Sequence, residues 1–312
     1  MRLLDAEAVR AALPWPALVD ALREMFRDGC AAPLRHAHAI PQPDGPEATL
    51  LLMPAWQEQG AVRFSGVKIV HVVPGNRDKG LPAVSAVYLL SDAATGQPVA
   101  MLDGAELTDR RTAAASVLAG TYLARPDSRT LLVCGTGRIG RALAEAWSAG
   151  LKIDDAMIWG RNADHAATLA GELAAHGVNA RAVTDLEAAA RQADIISCAT
   201  LATAPLIRGA WVKPGTHIDL VGAFRKDMRE TDGALVARAA VFVDTVAGGM
   251  AEGGDIVQAI AEGAITAAHV RGDLHALARG EAKGRTSADE ITLFKSVGAA
   301  LEDLAAAILA VR

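Results

Sequence analysis

The chain has 312 residues, 51% hydrophobic and 21% charged, with a formal net charge of -5. That length suits two domains and a large core, and the composition is that of a folded globular chain rather than a disordered one. Negative charge with no basic run gives no support for nucleic acid as a partner, and no apolar run is long enough to span a bilayer.

In chain order, the opening MRLLDAEAVR carries acidic residues where a signal peptide needs its apolar run. Residues 1–30 read as helical, with Leu4, Val9 and Leu13 at helical spacing before Pro14. A second helix starts near Pro16, carries Leu18, Leu22 and Phe26 on one face, and ends at Gly29. Extended chain follows from Ala31, with a loop at Pro41-Gln42-Pro43-Asp44-Gly45 and a short strand over Ala48–Met53. Val62–Val73 is β-branched and alternating, a strand carrying Lys68, broken by Pro74-Gly75-Asn76 and a charged loop at Arg77–Leu81. Val84–Leu90 and Gln97–Leu102 form a hairpin. Thr108–Leu123 reads as an alanine-rich helix capped by Thr108, with Asp109-Arg110-Arg111 in its first turn and Pro126 beyond its end.

Next comes the most informative stretch, Leu131–Gly140, LLVCGTGRIG. Four apolar residues read as a buried strand, Gly135-Thr136-Gly137-Arg138-Ile139-Gly140 as a turn, and Arg141–Trp147 as a helix. Strand, glycine turn and helix in that order make the dinucleotide fingerprint: Gly135 for the tight turn, Gly137 for close approach of a pyrophosphate, Gly140 for packing of helix on strand. The helix N-terminus adds free N–H groups for the phosphates. Strands at Ala156–Trp159, Ala180–Val183, Asp194–Ala199, Thr216–Val221 and Ala239–Val243 alternate with helices at Ala163–His176 and Asp185–Gln192. That rhythm predicts a Rossmann-type doubly wound parallel sheet, a second domain beside the small mixed sheet of the first third. A last helix is expected to open at the capping box Ser287-Ala288-Asp289-Glu290 and to carry Ile291, Phe294, Val297, Leu301, Leu304 and Ile308.

The end of the second strand is where an acid would hold the adenosine ribose. Here it reads Gly160-Arg161-Asn162, offering room and a planar cation for a 2′-phosphate, so NADPH is expected ahead of NADH. Arg161 as a solvated loop charge is the plainer alternative. Lys68 sits among valines and isoleucine, so it either points inward toward a bound carboxylate or, on an edge strand, out to water. Arg111 is either a bidentate carboxylate clamp or half of a surface salt bridge. Arg35, His36 and His38 form a polar cluster on an extended segment, without the acid or cysteine partners a metal site needs. Cys30, Cys134 and Cys198 are scattered without CxxC spacing; no disulfide framework or zinc site is expected, and a reducing cytoplasm is the default compartment.

Several segments then coincide: GVKIVHVVPGN (66–76), GLPAVSAVYLLSDAATGQPVAMLDG (80–104), LTDRRTAAASVLAGTYLARPD (107–127), the fingerprint, PGTHIDLVGAFRKDMRETD (214–232) and TLFKSVGAALEDLAAA (292–307). Together they resemble the ornithine cyclodeaminase/mu-crystallin family over nearly the full length. The resemblance implies a homodimer and an α+β substrate and dimerisation domain, residues 1–116, completed by a C-terminal helix, 291–312, beside an NAD(P)-binding domain, 117–290. It implies that Lys68 and Arg111, with Arg35, hold a substrate carboxylate. It assigns Gly137, Arg138 and Ile139 to the phosphate turn, Arg161 and Asn162 to the adenosine end, and Thr200, Val221 and Ser296 to the nicotinamide side.

One departure bears on the reaction. The family's cyclodeaminases carry an aspartate just after a Val-Gly pair, where this chain reads Val221-Gly222-Ala223-Phe224; Phe224 cannot accept a proton, and Asp227 lies further on. The resemblance is therefore closest to the family's imine reductases, the Δ1-pyrroline-2-carboxylate reductases among them. The expectation is NADPH-dependent reduction of a small cyclic imine acid, with Phe224 helping to enclose the substrate. Ornithine cyclodeamination or alanine oxidation is the alternative, and a non-enzymatic NADPH-binding protein the third.

Overall fold

The structure is a computed structural model that describes every residue except Asp44, and every side chain of the rest except those of Arg77 and Asp78. The loop expected at residues 41–45 therefore falls partly outside the described residues. The chain opens with β1 (Arg2–Leu4), α1 (Ala6–Ala12) and α2 (Trp15–Asp28), followed by β2 (His36–Ile40), β3 (Ala48–Trp56), β4 (Phe64–Val72), β5 (Val84–Asp92), β6 (Pro98–Asp103) and α3 (Gly104–Leu123). The α/β portion comprises β7 (Thr130–Cys134), α4 (Arg138–Gly150), β8 (Asp155–Trp159), α5 (Ala163–Ala175), β9 (Ala180–Ala182), α6 (Leu186–Gln192), β10 (Ile195–Cys198) and β11 (His217–Leu220). It continues through α7 (Gly233–Arg238), β12 (Ala240–Val243), α8 (Val246–Glu252), α9 (Gly254–Ala261), β13 (Val270–Asp273), α10 (Leu274–Arg279) and β14 (Thr292–Lys295), and α11 (Ala300–Val311) closes the chain.

Four local expectations are corrected. Residues 2–4 are a strand parallel to β6, and α1 begins only where Asp5 Oδ1 accepts from the Ala8 N–H at 2.9 Å. A 3-10 helix, Pro74–Lys79, stands where a break and loop were expected. α3 starts four residues before Thr108: Asp103 Oδ1 accepts from the Glu106 N–H at 2.7 Å, and Thr108 Oγ1 donates back to Gly104 O at 2.6 Å inside the helix. The stripe from Ile291 to Ile308 is not one helix, because residues 292–295 are a central strand and the helix begins at Ala300. Fully buried parallel strands read as apolar runs and carry no period that separates them from a buried helix.

The chain divides into two compact units, Met1–Arg111 with Ala299–Arg312, and Thr112–Gly298. The division thus falls inside α3 and after β14, rather than at 116/117 and 290/291, since β14 is a strand of the second unit's sheet.

In the first unit six strands run in the order β1-β6-β5-β4-β3-β2, antiparallel except for the β1–β6 pair. Buried residues on one face include Met53, Lys68, Tyr88, Leu90, Ala100 and Leu102. α11 packs on β3, β4 and β5, and α2 packs on α11. Register places Leu3, Met101, Leu89, Val67 and Pro54 in one row across the opposite face, with Val87, Ile69 and Leu52 in the next. Leu3 is 70% exposed, Val87 39% and Met101 38%.

The second unit is an eight-stranded all-parallel sheet in the order β13-β12-β14-β11-β10-β7-β8-β9. Its central strands are buried throughout, the signature of a sheet covered on both faces. Chain direction across the sheet reverses between β7 and β10, which makes their carboxyl ends the topological switch point. Among the described residues no helix is long and apolar enough to cross a membrane.

Candidate active site

At the switch point, every residue nominated for the cofactor lies just beyond the carboxyl end of a strand. Gly135–Gly140 follow β7, Arg161 and Asn162 follow β8, Thr200 follows β10, Val221 follows β11 and Ser296 follows β14. Gly135 holds φ +131°, and a Cβ there would lie 2.6 Å from Ala199 O. At Gly140 a Cβ would lie 2.1 Å from Gly135 O. These two glycines are demanded by the protein itself.

Gly137 is different. It is exposed, no heavy atom lies within 4 Å of where its Cβ would be, and no side chain caps α4, which begins at Arg138. A helix start with no side-chain cap, beneath an open glycine, is what a pyrophosphate needs, so these residues fit a dinucleotide. Gly137→Val is expected to leave the melting temperature close to wild type while abolishing NADH binding, measured by nicotinamide fluorescence. A variant that still binds NADH normally would remove the glycine's proposed purpose.

Where the adenosine end is expected, a Cβ on Gly160 would sit 2.6 Å from Thr136 Cγ2, so an acidic side chain fits there only if Thr136 turns aside. Arg161 is exposed beside it. Asn162 caps α5, its Oδ1 accepting from the N–H groups of Asp164 at 2.9 Å and His165 at 3.4 Å. Of the residues expected to line the nicotinamide, Thr200 is tied to a buried acid, Glu230, and the Ser296 hydroxyl donates to Asp244 Oδ2 at 3.1 Å. Asp244 also accepts from the N–H groups of Val297 and Gly298, which fixes the turn after β14. Phe224 is 41% exposed on the loop after β11. Asp227 is exposed and held by Arg225 at 2.7 Å, so it supplies no substitute for a carboxylate at position 224.

The first unit holds a second constellation. Lys68 is flanked by β3 and β5 and is 2% exposed, which removes the edge-strand alternative. Its Nζ lies 2.8 Å from Asp303 Oδ2 and donates to Oδ1 at 2.9 Å and to Thr108 Oγ1 at 3.4 Å. Arg111 is equally buried, so it is no surface salt bridge: Nε donates to Asp303 Oδ1 at 2.9 Å and Nη1 to Glu302 Oε2 at 2.5 Å. Its neighbour Arg110 turns the other way, donating to Leu13 O and stacking 3.9 Å from the Trp15 ring centroid.

Burial brings the Lys68 ammonium down to about 8; Asp303 opposes this, while the positive charges of Arg111 and Arg35 push the same way as burial. Burial also works against the Arg111 charge, but Asp303 and Glu302 outweigh it and hold the guanidinium above its ordinary range. Arg35 is half-buried and close enough for Lys68 to feel its charge. Lys68 and Arg111 are thus two buried cations brought together on one carboxylate oxygen, Asp303 Oδ1, at 2.9 Å each. His36 and His38 are exposed on β2, and among the described residues no group of three or more metal-ligating side chains occurs.

Sequence reasoning missed Glu302, Asp303, Glu230 and Asp244. The first two had a signal: a pair of acids inside Leu301–Ala310, an otherwise apolar helix, requires buried cations opposite. The other two are isolated acids in loops and lack any pattern.

A parallel sheet with a glycine fingerprint at its switch point, in a chain whose other unit buries a lysine and an arginine side by side, marks the class of nicotinamide-dinucleotide oxidoreductases acting on small acids. The sequence model of the ornithine cyclodeaminase/mu-crystallin family matches residues 6–311. The chain belongs to that family. It is 43% identical to the Delta(1)-pyrroline-2-carboxylate reductase of Paracoccus denitrificans over 290 residues, 90% of each chain. The Thermococcus litoralis Delta(1)-pyrroline-2-carboxylate reductase, solved with NADH and L-proline, is 34% identical with a TM-score of 0.92, over 100% of this chain and 96% of that one. An archaeal alanine dehydrogenase dimer with bound NAD is 28% identical with a TM-score of 0.89, covering 100% and 95%.

Proposed function

We propose that the protein reduces a cyclic ketimine acid, Δ1-pyrroline-2-carboxylate or its six-membered homologue Δ1-piperideine-2-carboxylate, to L-proline or L-pipecolate. The observation that carries this reading is the pair of buried cations, Lys68 and Arg111, held side by side on the shared carboxylate of Asp303. Lys68 and Arg111 hold the substrate carboxylate, the guanidinium by its remaining N–H donors. The protonated imine is already electrophilic at C2, so the reduction needs no strong base. The dinucleotide supplies a hydride; the chain's own contribution is to bind and orient the acid, the device worth most when reactants are held in register. Phe224 limits access of water. Cyclodeamination or alanine oxidation would need an acceptor where Phe224 stands, and Asp227 is engaged by Arg225.

The test is oxidation of NADPH and of NADH with each cyclic imine, alongside ammonia release from L-ornithine. Consumption of the reduced cofactor with at least one imine is expected. No consumption with either, or ammonia from ornithine instead, would overturn the reading.

For the cofactor, NADPH is the preferred donor in this proposal, supported by the absence of an acid at Gly160 and the exposed guanidinium at Arg161. The relatives named above were solved with NADH or NAD, so NADPH preference would set this chain apart from them. Arg161→Asp is expected to reverse the ratio of kcat/KM for NADPH over NADH. An unchanged ratio sinks the role of Arg161.

The protein forms a homodimer in this proposal, through the apolar rows Leu3–Met101–Leu89–Val67 and Val87–Ile69–Leu52 of the first unit's sheet, since an apolar face of that extent marks an association surface. α11 is not free to contribute a face of its own, being buried along almost its whole length within its unit. A Val87→Asp, Met101→Asp double substitution should convert the dimer to monomer in analytical ultracentrifugation. A dimer that survives it lies elsewhere.

A further inference from the structure

We propose that Glu230 is a positioning residue for hydride transfer, clasping the ends of β10 and β11 so that the wall meeting the nicotinamide is fixed. The inference rests on the reading of the second unit as a dinucleotide site. Glu230 is fully buried, and its carboxylate is hydrogen-bonded to residues after β10 and β11 and not to the fingerprint turn. Its Oε1 accepts from the Thr200 N–H at 2.7 Å and the Thr200 hydroxyl at 2.8 Å, and its Oε2 accepts from the Gly222 N–H at 2.7 Å.

The two strand ends are in direct contact at this point. A Cβ on Gly222 would fall 2.0 Å from Thr200 O. Asp255, at the start of α9, accepts from the N–H groups of Glu230 at 2.7 Å and Thr231 at 3.0 Å, holding the acid from behind. Lys295 from β14 lies 3.4 Å from Asp255 Oδ2 and donates to Leu220 O at 3.1 Å, so its charge is spent inside the same cluster. The amides of Thr200 and Gly222 are thereby committed to Glu230 and not to a ligand. The clasp sets where Thr200 and Val221 stand.

The charged and titratable groups facing Glu230 are Lys295 from β14, Asp255 from α9 and Cys198 at the end of β10. Arg229, beside it in sequence, turns away to Glu262. Burial raises the Glu230 carboxyl, Lys295 opposes and Asp255 reinforces, leaving it at about 7. A proton on the carboxyl removes the negative charge that the three donors share and takes up one of the oxygens' acceptor positions, so these bonds weaken. The clasp is therefore strongest above neutrality and weakens as pH falls through about 7.

Glu230→Gln is nearly isosteric and keeps one acceptor, but its NH2 faces a donor. The wild type and this variant are compared, as full-length protein, in NADH binding by fluorescence and in steady-state kinetics with Δ1-pyrroline-2-carboxylate across about pH 5.5 to about 9. Because phosphates and adenosine bind elsewhere on the sheet edge, NADH affinity at pH 8 should change little, while kcat falls by roughly 10- to 100-fold, the cost of misplacing a reacting group by a fraction of an ångström to about 1 Å. The acid limb of the wild-type kcat profile should vanish in the variant. A variant with wild-type kcat and limb, or one that loses NADH affinity as steeply as turnover, overturns the positioning role. Failure of the wild type itself to bind NADH or to turn over the imine overturns instead the reading on which the inference rests.

Discussion

Arg111→Lys is expected to lower kcat/KM for the cyclic imine acid by roughly 100-fold, about 3 kcal/mol, with little change in melting temperature. The lysine keeps a cation opposite Glu302 and Asp303, so the buried charge balance survives. It loses the planar fork, and with it the simultaneous donation to two acids on the helix and to a third carboxylate on the substrate. A variant with normal kcat/KM would mean that the guanidinium serves only the fold. The companion experiment reads Lys68 through pH. Burial brings its ammonium down to about 8, so it is a cation below that pH and increasingly neutral above it. As kcat/KM reports free enzyme and free substrate, it should fall as pH rises through about 8. Titration of the imine contributes an alkaline limb of its own, which Lys68→Arg cannot remove. The difference between wild type and Lys68→Arg isolates the lysine, and identical profiles would exclude it from carboxylate binding.

Asp303→Ala carries the largest expected cost in stability. Asp303 is the anion shared by Lys68 and Arg111, both buried. Removing it leaves two desolvated cations with Glu302 alone, and breaking a buried pair from one side costs about 3–5 kcal/mol. Chemical denaturation should show a matching fall in unfolding free energy. Coupling it with Lys68→Met, which deletes the stranded ammonium and fills its space with an apolar side chain, should recover a good part of the loss. If the double variant is no more stable than Asp303→Ala, the pair is not energetically coupled and the geometry of the cluster misleads.

The second unit was legible because parallel strands and fingerprint glycines leave signals that are local: an apolar run, a turn residue, a helix start. Gly135, Gly137 and Gly140 could be assigned separate tasks from spacing alone, and the structure separates them, two against the backbone and one open. β14 was not legible, since Thr292–Lys295 continues the apolar spacing of α11 and only the sheet decides which half is strand. Lys68 and Arg111 were visible as charges in the wrong places. Their partners, 192 residues beyond Arg111 in the case of Asp303, depend on tertiary pairing that no local pattern encodes. Glu230 illustrates the same limit. Its three hydrogen bonds join loops from two strands, and nothing in RETD around it announces a clasp.

The first unit is assembled from two separated segments, Met1–Arg111 and Ala299–Arg312, with the second unit inserted between them. During synthesis the second unit is complete in one continuous stretch and can fold as it emerges. The six-stranded sheet cannot, because the helix that buries its inner face and neutralises Lys68 and Arg111 is made only after the whole of the second unit. Until then the sheet presents an apolar floor with two naked cations, a state that loop closure across the whole inserted unit must wait to relieve. Refolding should therefore show the fingerprint unit gaining protection from hydrogen exchange first. The carboxylate-binding charges would reach their final environment only in the closing step of assembly.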